Sequence, residues 1–182
     1  MKPAREHATN NAQTYFITSD TWERRALFHN EAWARLFFKT LLSHRGEAYL
    51  LHAFVLMPDH LHLLITPSTS LERAIQLIKG GFSFQVKRKL GFVGEVWHRG
   101  FADHRIRDAE DYDKHVHYIH LNPVKKHLCL NPAEYKYSSA FPGWKKCPVT
   151  SSWISSCMAP SREASTGTPH AKASMIVSGR FS

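Results

Sequence analysis

Two histidines flanking one leucine, His60-Leu61-His62, and a tyrosine four residues before an asparagine, Tyr118 and Asn122, are the side chains here whose spacing could serve phosphate chemistry. On a strand successive side chains alternate, so His60, His62, Leu64 and Thr66 share one side while Leu61, Leu63 and Ile65 turn toward a core. Two residues apart, the histidine Cβ atoms lie about 6.5 Å from each other, from which ring nitrogens can converge on one divalent ion. The same alternation also describes a strand with one wet face, which needs no metal.

The tyrosine belongs to a helix. Asp108 is a natural N-cap, Glu110 and Asp111 favour the positive end of the helix dipole, and the pattern continues to about Leu121. Tyr112, Val116 and Ile119 form its core-facing stripe. Tyr118 falls off that stripe, with Asn122 about 40° away around the axis and Asp111 and His115 in the same sector. Phenol, amide and imidazole thus share a non-core face. Asn122 could lend a carbonyl oxygen as a third metal ligand, Tyr118 could attack a phosphodiester, and His115 could assist proton transfer. A phosphotyrosine conserves the bond energy, so a DNA hydroxyl can reverse the exchange, and the metal would polarise the non-bridging oxygens. Tyr118 could equally pack its ring at a rim with its hydroxyl wet, and Asn122 could end the helix before Pro123.

The elements that must position these groups are legible from pattern. The apolar run 49–56, the turn Met57-Pro58-Asp59 and the histidine strand make a hairpin. Residues 15–19 read as a first strand, and 22–27 as a loop whose Arg24 and Arg25 could touch phosphate. Asn30 caps a helix through about Ser43, carrying Trp33, Leu36, Phe37, Thr40 and Leu41 at helical spacing. Ser70 opens a second helix that continues to Leu90 and is interrupted at Gly80-Gly81. Residues 96–107 suggest an irregular strand or a pair of short ones.

Composition narrows the setting. With 182 residues and 43% hydrophobic content, one domain with a sizeable core is expected, over 1–147. From 148 to 182 the chain turns to Ser, Thr, Pro and Ala without periodicity, a tail expected to be disordered. A formal charge of +9 favours an anionic partner, most economically nucleic acid. Three cysteines without a Cys-X-X-Cys pair argue against a disulfide framework or a cysteine zinc site and suit a reducing cytoplasm. Residues 1–11 lack a signal-peptide core, and Pro58, Asp59, His60 and His62 break the longest apolar stretch far short of the roughly 20 residues that span a bilayer. No membrane partner is expected.

Taken together, these motifs resemble a known family. His60-Leu61-His62 resembles the HUH motif, histidine-hydrophobic-histidine, and Tyr118-Ile119-His120-Leu121-Asn122 resembles the tyrosine helix of the single-tyrosine, IS200-like transposases. Residues 118–128, with Met57-Pro58-Asp59, Ile78-Lys79-Gly80-Gly81-Phe82-Ser83 and His104-Arg105-Ile106-Arg107, are similar to the branch called REP-associated tyrosine transposases, a likeness spanning about 15–143. The resemblance implies a ferredoxin-like α/β (α+β) fold: a central antiparallel sheet carrying the histidines, helices packed against it, and the tyrosine helix facing the metal. It implies cleavage and rejoining of single-stranded DNA through a 5′-phosphotyrosine, with a free 3′-hydroxyl and Mg²⁺ or Mn²⁺ as cofactor. His60, His62 and Asn122 become the metal ligands and Tyr118 the nucleophile. The insertion-sequence enzymes usually carry glutamine where this chain has the shorter Asn122. The implied partner is single-stranded DNA with REP-like hairpins, met at the nucleoid by a monomer, a dimer being the alternative. Arg24, Arg25, Lys79, Lys87, Arg105, Arg107, Lys125 and Lys126 are candidate DNA contacts, chiefly to phosphate, with Trp97 and Phe82 candidates for stacking exposed bases.

Two other readings remain. A water-activating metal hydrolase of the metallo-β-lactamase type would want an acidic residue where this chain has Leu64. A hairpin-binding module without cleavage would need none of the reactive groups.

Overall fold

The computed structural model describes residues 13–146; the expectation of a disordered tail lies outside them. Four strands, β1 (Tyr15–Asp20), β2 (Tyr49–Leu56), β3 (His60–Pro67) and β4 (Ala102–Arg105), form one sheet in the order β2-β3-β1-β4, with every neighbouring pair antiparallel. Helix α1 (Glu31–Ser43) links β1 to β2, which run parallel with β3 between them. From β3 to β4 the chain crosses through α2 (Leu71–Ile75), a π turn (Gln76–Gly80) and α3 (Gly81–Leu90), again placing parallel strands on either side of a third. This split βαβ arrangement is the ferredoxin-like plan. A last helix, α4 (Ala109–Lys125), follows β4.

The sheet is buried on both faces. Ile17, Leu61, Leu63 and Ile65 join Phe37, Phe38, Leu41, Ile78, Phe82 and Trp97 in the larger core under α1, α2 and α3. On the other face Ala53, Val55, Met57 and Leu64 pack against Ile119, with Phe16, Tyr112 and Val116 partly buried around them. Here the structure corrects a picture of one wet face: α4 covers the histidine side. A bulge between Leu51 and Ala53 makes this possible, because it re-phases β2 so that Ala53 and Val55 turn toward α4 while Phe54 and Leu56 stay in the larger core.

The helix around Gly80-Gly81 is widened rather than broken. The π turn absorbs one extra residue, and Gly81 lets α3 approach α1 closely: a Cβ there would lie 3.2 Å from Thr40 Cγ2. Helix α4 begins where expected, Asp108 accepting from the Asp111 N–H at 2.8 Å, but runs past Leu121 through Pro123 to Lys125. Pro123 is tolerated because it removes one N–H near the end of the helix, while Lys126 N–H and Leu128 N–H still close onto the Asn122 and Pro123 carbonyls. Asn122 is therefore a helical residue within the turn, not a terminal one.

Candidate active site

The register of β1 on β3 places Thr18 opposite His62 and Asp20 opposite His60. The two imidazoles lie with ring centroids 4.9 Å apart, and both are buried, at 5% and 4% exposure. Each has one nitrogen held from outside the pair. His60 Nδ1 donates to the Asp59 carboxylate at 2.6 Å, and His62 Nδ1 lies 2.9 Å from Thr18 Oγ1. With Nδ1 carrying the proton in each ring, both Nε2 atoms present lone pairs. Burial, helped by His60 and Arg24, pushes the His62 pKa down to about 3, so this ring is neutral and able to ligate at ordinary pH.

Arg24 reaches back to this corner from the loop after β1. Its guanidinium pairs with Asp20 at 2.5 Å and with Asp59 at 3.0 Å. Partial burial of Asp59 raises its pKa, but His60 and Arg24 outweigh that and hold the carboxyl below its ordinary value. The line Arg24–Asp59–His60 is thus an oriented one, in which an ionised carboxylate fixes an imidazole.

Helix α4 brings the other half. The Tyr118 ring stands 5.2 Å from His62, centroid to centroid, and is 40% exposed, while Asn122 one turn later is buried at 5%. Phe16, projecting from β1, touches the rings of His62, His115 and Tyr118 at 5.3, 4.7 and 5.8 Å and so sets the distance between sheet and helix. Lys125 Nζ sits 5.4 Å from the centre of the Tyr118 ring.

Two buried atoms here lack a hydrogen-bond partner: His62 Nε2 and Asn122 Oδ1. A buried acceptor left unpaired costs about 1–3 kcal/mol, so each of these two atoms has the capacity to take a cation or a hydrogen-bond donor. Two imidazole nitrogens and an amide oxygen suit a divalent cation, and better Mn²⁺ than the more oxygen-demanding Mg²⁺. His120, on the far side of α4, lies 2.9 Å from Ser139 Oγ, facing away from this group.

The cationic candidates separate by position. Lys125 and Lys126 are exposed at the end of α4 near Tyr118, and Arg105 is exposed on the edge strand β4. Lys87 is exposed on α3, across the sheet. Arg25 donates to the Trp22 and Glu95 carbonyls, and Arg107 bonds Asp111 at 3.2 Å. Lys79 turns inward: its Nζ donates to the His98 and Gly100 carbonyls beside the Trp97 ring, and burial pulls its pKa down to about 8. Phe82 and Trp97 do not offer stacking faces. Both are buried in the larger core, where helical and loop aromatics close over the sheet.

A second polar group is only half visible in the sequence, which pairs Asp111 and His115 on one helix sector but not His104 with them. His104 from β4 and Asp111 and His115 from α4 bring their ligand atoms within 4.8 Å of one another, a set that could hold a metal ion. His104 stands seven residues from Asp111 in a different element, so only the docking of α4 on β4 brings them together.

Comparison with known proteins gives the family. Residues 10–122 match the family described as "Transposase IS200 like", a stretch that contains His60, His62, Tyr118 and Asn122. The chain belongs to the IS200-like transposase family. It is similar to the REP-associated tyrosine transposase of Escherichia coli K12, 26% identical over 129 residues, covering 69% of this chain and 75% of that one. A Haemophilus influenzae protein provisionally placed in the same group is 31% identical over 99 residues, 48% of this chain and 56% of its own. Among solved structures, a REP-associated tyrosine transposase bound to a REP hairpin matches with a TM-score of 0.66 at 23% identity, over 82% of this chain and 90% of that one, a likeness of fold. Within this IS200-like member, no helix among the described residues is long and apolar enough to cross a membrane.

Proposed function

We propose that this IS200-like transposase cleaves and rejoins single-stranded DNA beside REP-like hairpins, with Tyr118 as the nucleophile. The observation that carries the reading is the meeting of an accessible phenol, 5.2 Å from the His62 ring, with two buried orphan acceptors, His62 Nε2 and Asn122 Oδ1. His60, His62 and Asn122 would hold a Mn²⁺ or Mg²⁺ ion, whose chemistry when bound is to draw charge from the scissile phosphate.

The protein's own residues do the rest. Tyr118 Oη attacks phosphorus, the bond to the 3′ oxygen of the preceding nucleotide breaks, and that oxygen leaves as a 3′-hydroxyl once protonated. The 5′-phosphate stays on the tyrosine. A 3′-hydroxyl attacking the phosphotyrosine restores the phosphodiester and returns the proton to the phenolate, so no water is consumed. Lys125, whose Nζ lies 5.4 Å from the centre of the Tyr118 ring, would place positive charge beside the phosphate. Asp59 fixes the His60 tautomer, Thr18 holds the His62 ring, and Phe16 packs between helix and sheet.

The similarity to REP-associated transposases, one of them solved with a REP hairpin, supports hairpin DNA as the substrate. Lys125, Lys126, Arg105 and Arg107 are proposed phosphate contacts on the Tyr118 side, with Arg24, Arg25 and Lys87 as peripheral ones; Lys79, held on the His98 and Gly100 carbonyls, is not among them. A reaction of the full chain with end-labelled hairpin DNA and Mn²⁺ tests the chemistry. The reading expects the fragment upstream of the cut to run free with a 3′-hydroxyl while the downstream label stays with protein. Release of both fragments would favour a water-using nuclease, and binding with no cleavage under any divalent ion would favour a hairpin-binding module.

A further inference from the structure

Outside the Tyr118 site, the densest group of metal-competent side chains among the described residues joins the edge strand to the start of α4. Asp111 is buried at 5% exposure, and both oxygens of its carboxylate face nitrogens. His104 Nε2 lies 2.9 Å from Oδ2, and His115 Nδ1 lies 3.3 Å from Oδ1 while donating to the Asp111 main-chain carbonyl at 2.7 Å. The Arg107 backbone N–H and Nε each approach Oδ2 at 3.2 Å. The imidazoles stack at 4.7 Å with 21° between planes, so their nitrogens line up along one edge over the carboxylate.

We infer that His104, Asp111 and His115 form a second cation site, separate from His60, His62 and Asn122, that takes a borderline divalent ion of the Zn²⁺ or Co²⁺ class and ties β4 to α4. Two imidazoles and a carboxylate are the donor set such ions prefer, and the ligand atoms already lie within 4.8 Å of one another, so small side-chain rotations bring them to the spread of about 3.4 Å that tetrahedral bonds of about 2.1 Å require. The ion enters without net loss of protons from neutral imidazoles, because each ring can shift its proton to the other nitrogen. The Arg107 side chain is 72% exposed and its hydrogen bond is long, so the guanidinium can swing into water when the ion takes its place. Binding here fixes the first turns of the helix that carries Tyr118, and His115 hands that position on through Phe16.

Co²⁺ titration of the metal-free full chain, followed by visible absorption and calorimetry, tests this independently of strand cleavage. Two equivalents are expected for the natural sequence. His104→Ala and His115→Gln should each remove one, and His62→Gln should remove the other while leaving the His104-dependent equivalent intact. His104 is half exposed on an edge strand, so His104→Ala stays informative if His115→Gln unfolds, as judged by circular dichroism. If the His60–His62–Asn122 assignment is wrong, the count falls to one and that one still disappears in His104→Ala. A folded His104→Ala that binds as many equivalents as the natural chain overturns the second site.

Discussion

At the scale of residues, the chemistry rests on which nitrogen each histidine offers. Asp59 and Thr18 engage the two Nδ1 atoms, which leaves the two Nε2 atoms for a ligand. Partners of metal-binding histidines are typically worth about 10–100-fold in metal affinity. Asp59→Asn, which keeps the shape and loses the charge, is therefore expected to weaken Mn²⁺ binding at least about 10-fold in a paramagnetic-resonance titration. Unchanged affinity would mean that Arg24–Asp59 serves only to shape the turn. His60, His62, Tyr118 and Asn122 could be found in the sequence because each pair lies within one element, where spacing translates into geometry. Thr18 and Phe16 could not, since their places depend on the register of β1 against β3, a long-range pairing with no local signature. Asp59 was visible only as a turn residue.

At the scale of elements, α4 decides whether a phenol meets the histidines at all. Its hold on the sheet is Ile119, fully buried against Val55 and Leu64, and its start is the Asp108 cap. Ile119→Ala should cost about 2–5 kcal/mol in urea unfolding and Asp108→Ala about 1 kcal/mol. A much smaller loss for Ile119→Ala would mean that other side chains dock α4. The continuation of α4 through Pro123 defied the usual rule that the residue before proline leaves the helix, because the proline falls in the last turn, where it removes a single hydrogen bond. The π turn makes a prediction of its own. Lys79 has a pKa near 8 in the fold against 10.5 for a free lysine, so between those values the unfolded chain binds the extra proton. Stability should rise with pH across that window as the penalty of a buried charge is relieved, and Lys79→Met should lose that rise. A Lys79→Met profile parallel to the natural one from pH 8 to 10.5 would contradict it.

At the scale of the whole molecule, a ferredoxin-like sheet covered by helices on both faces converts two motifs 58 residues apart, His60 and Tyr118, into one site. The order of strands and helices was legible because each carries a clear period or cap, as Asn30 and Ser70 show. The burial of the histidine face was not, because it depends on the β2 bulge and the docking of α4, and the same dependence on tertiary packing made Phe82 and Trp97 look available to DNA. With a net charge of +9, hairpin affinity should fall steeply with salt, and the paired change Lys125→Ala, Lys126→Ala should flatten the log–log slope by about one for each phosphate these lysines neutralise. An unchanged slope in fluorescence anisotropy would remove them from the interface. The most direct trial of Tyr118 as the nucleophile is mass spectrometry of trypsin-digested protein after reaction with hairpin DNA and Mn²⁺. Residues 115–125 form one tryptic peptide whose single tyrosine is Tyr118. The expected result is a nucleotide 5′-phosphate mass on that peptide, localised to Tyr118 and absent from Tyr118→Phe; an adduct on any other residue, or one that survives the substitution, would contradict the assignment.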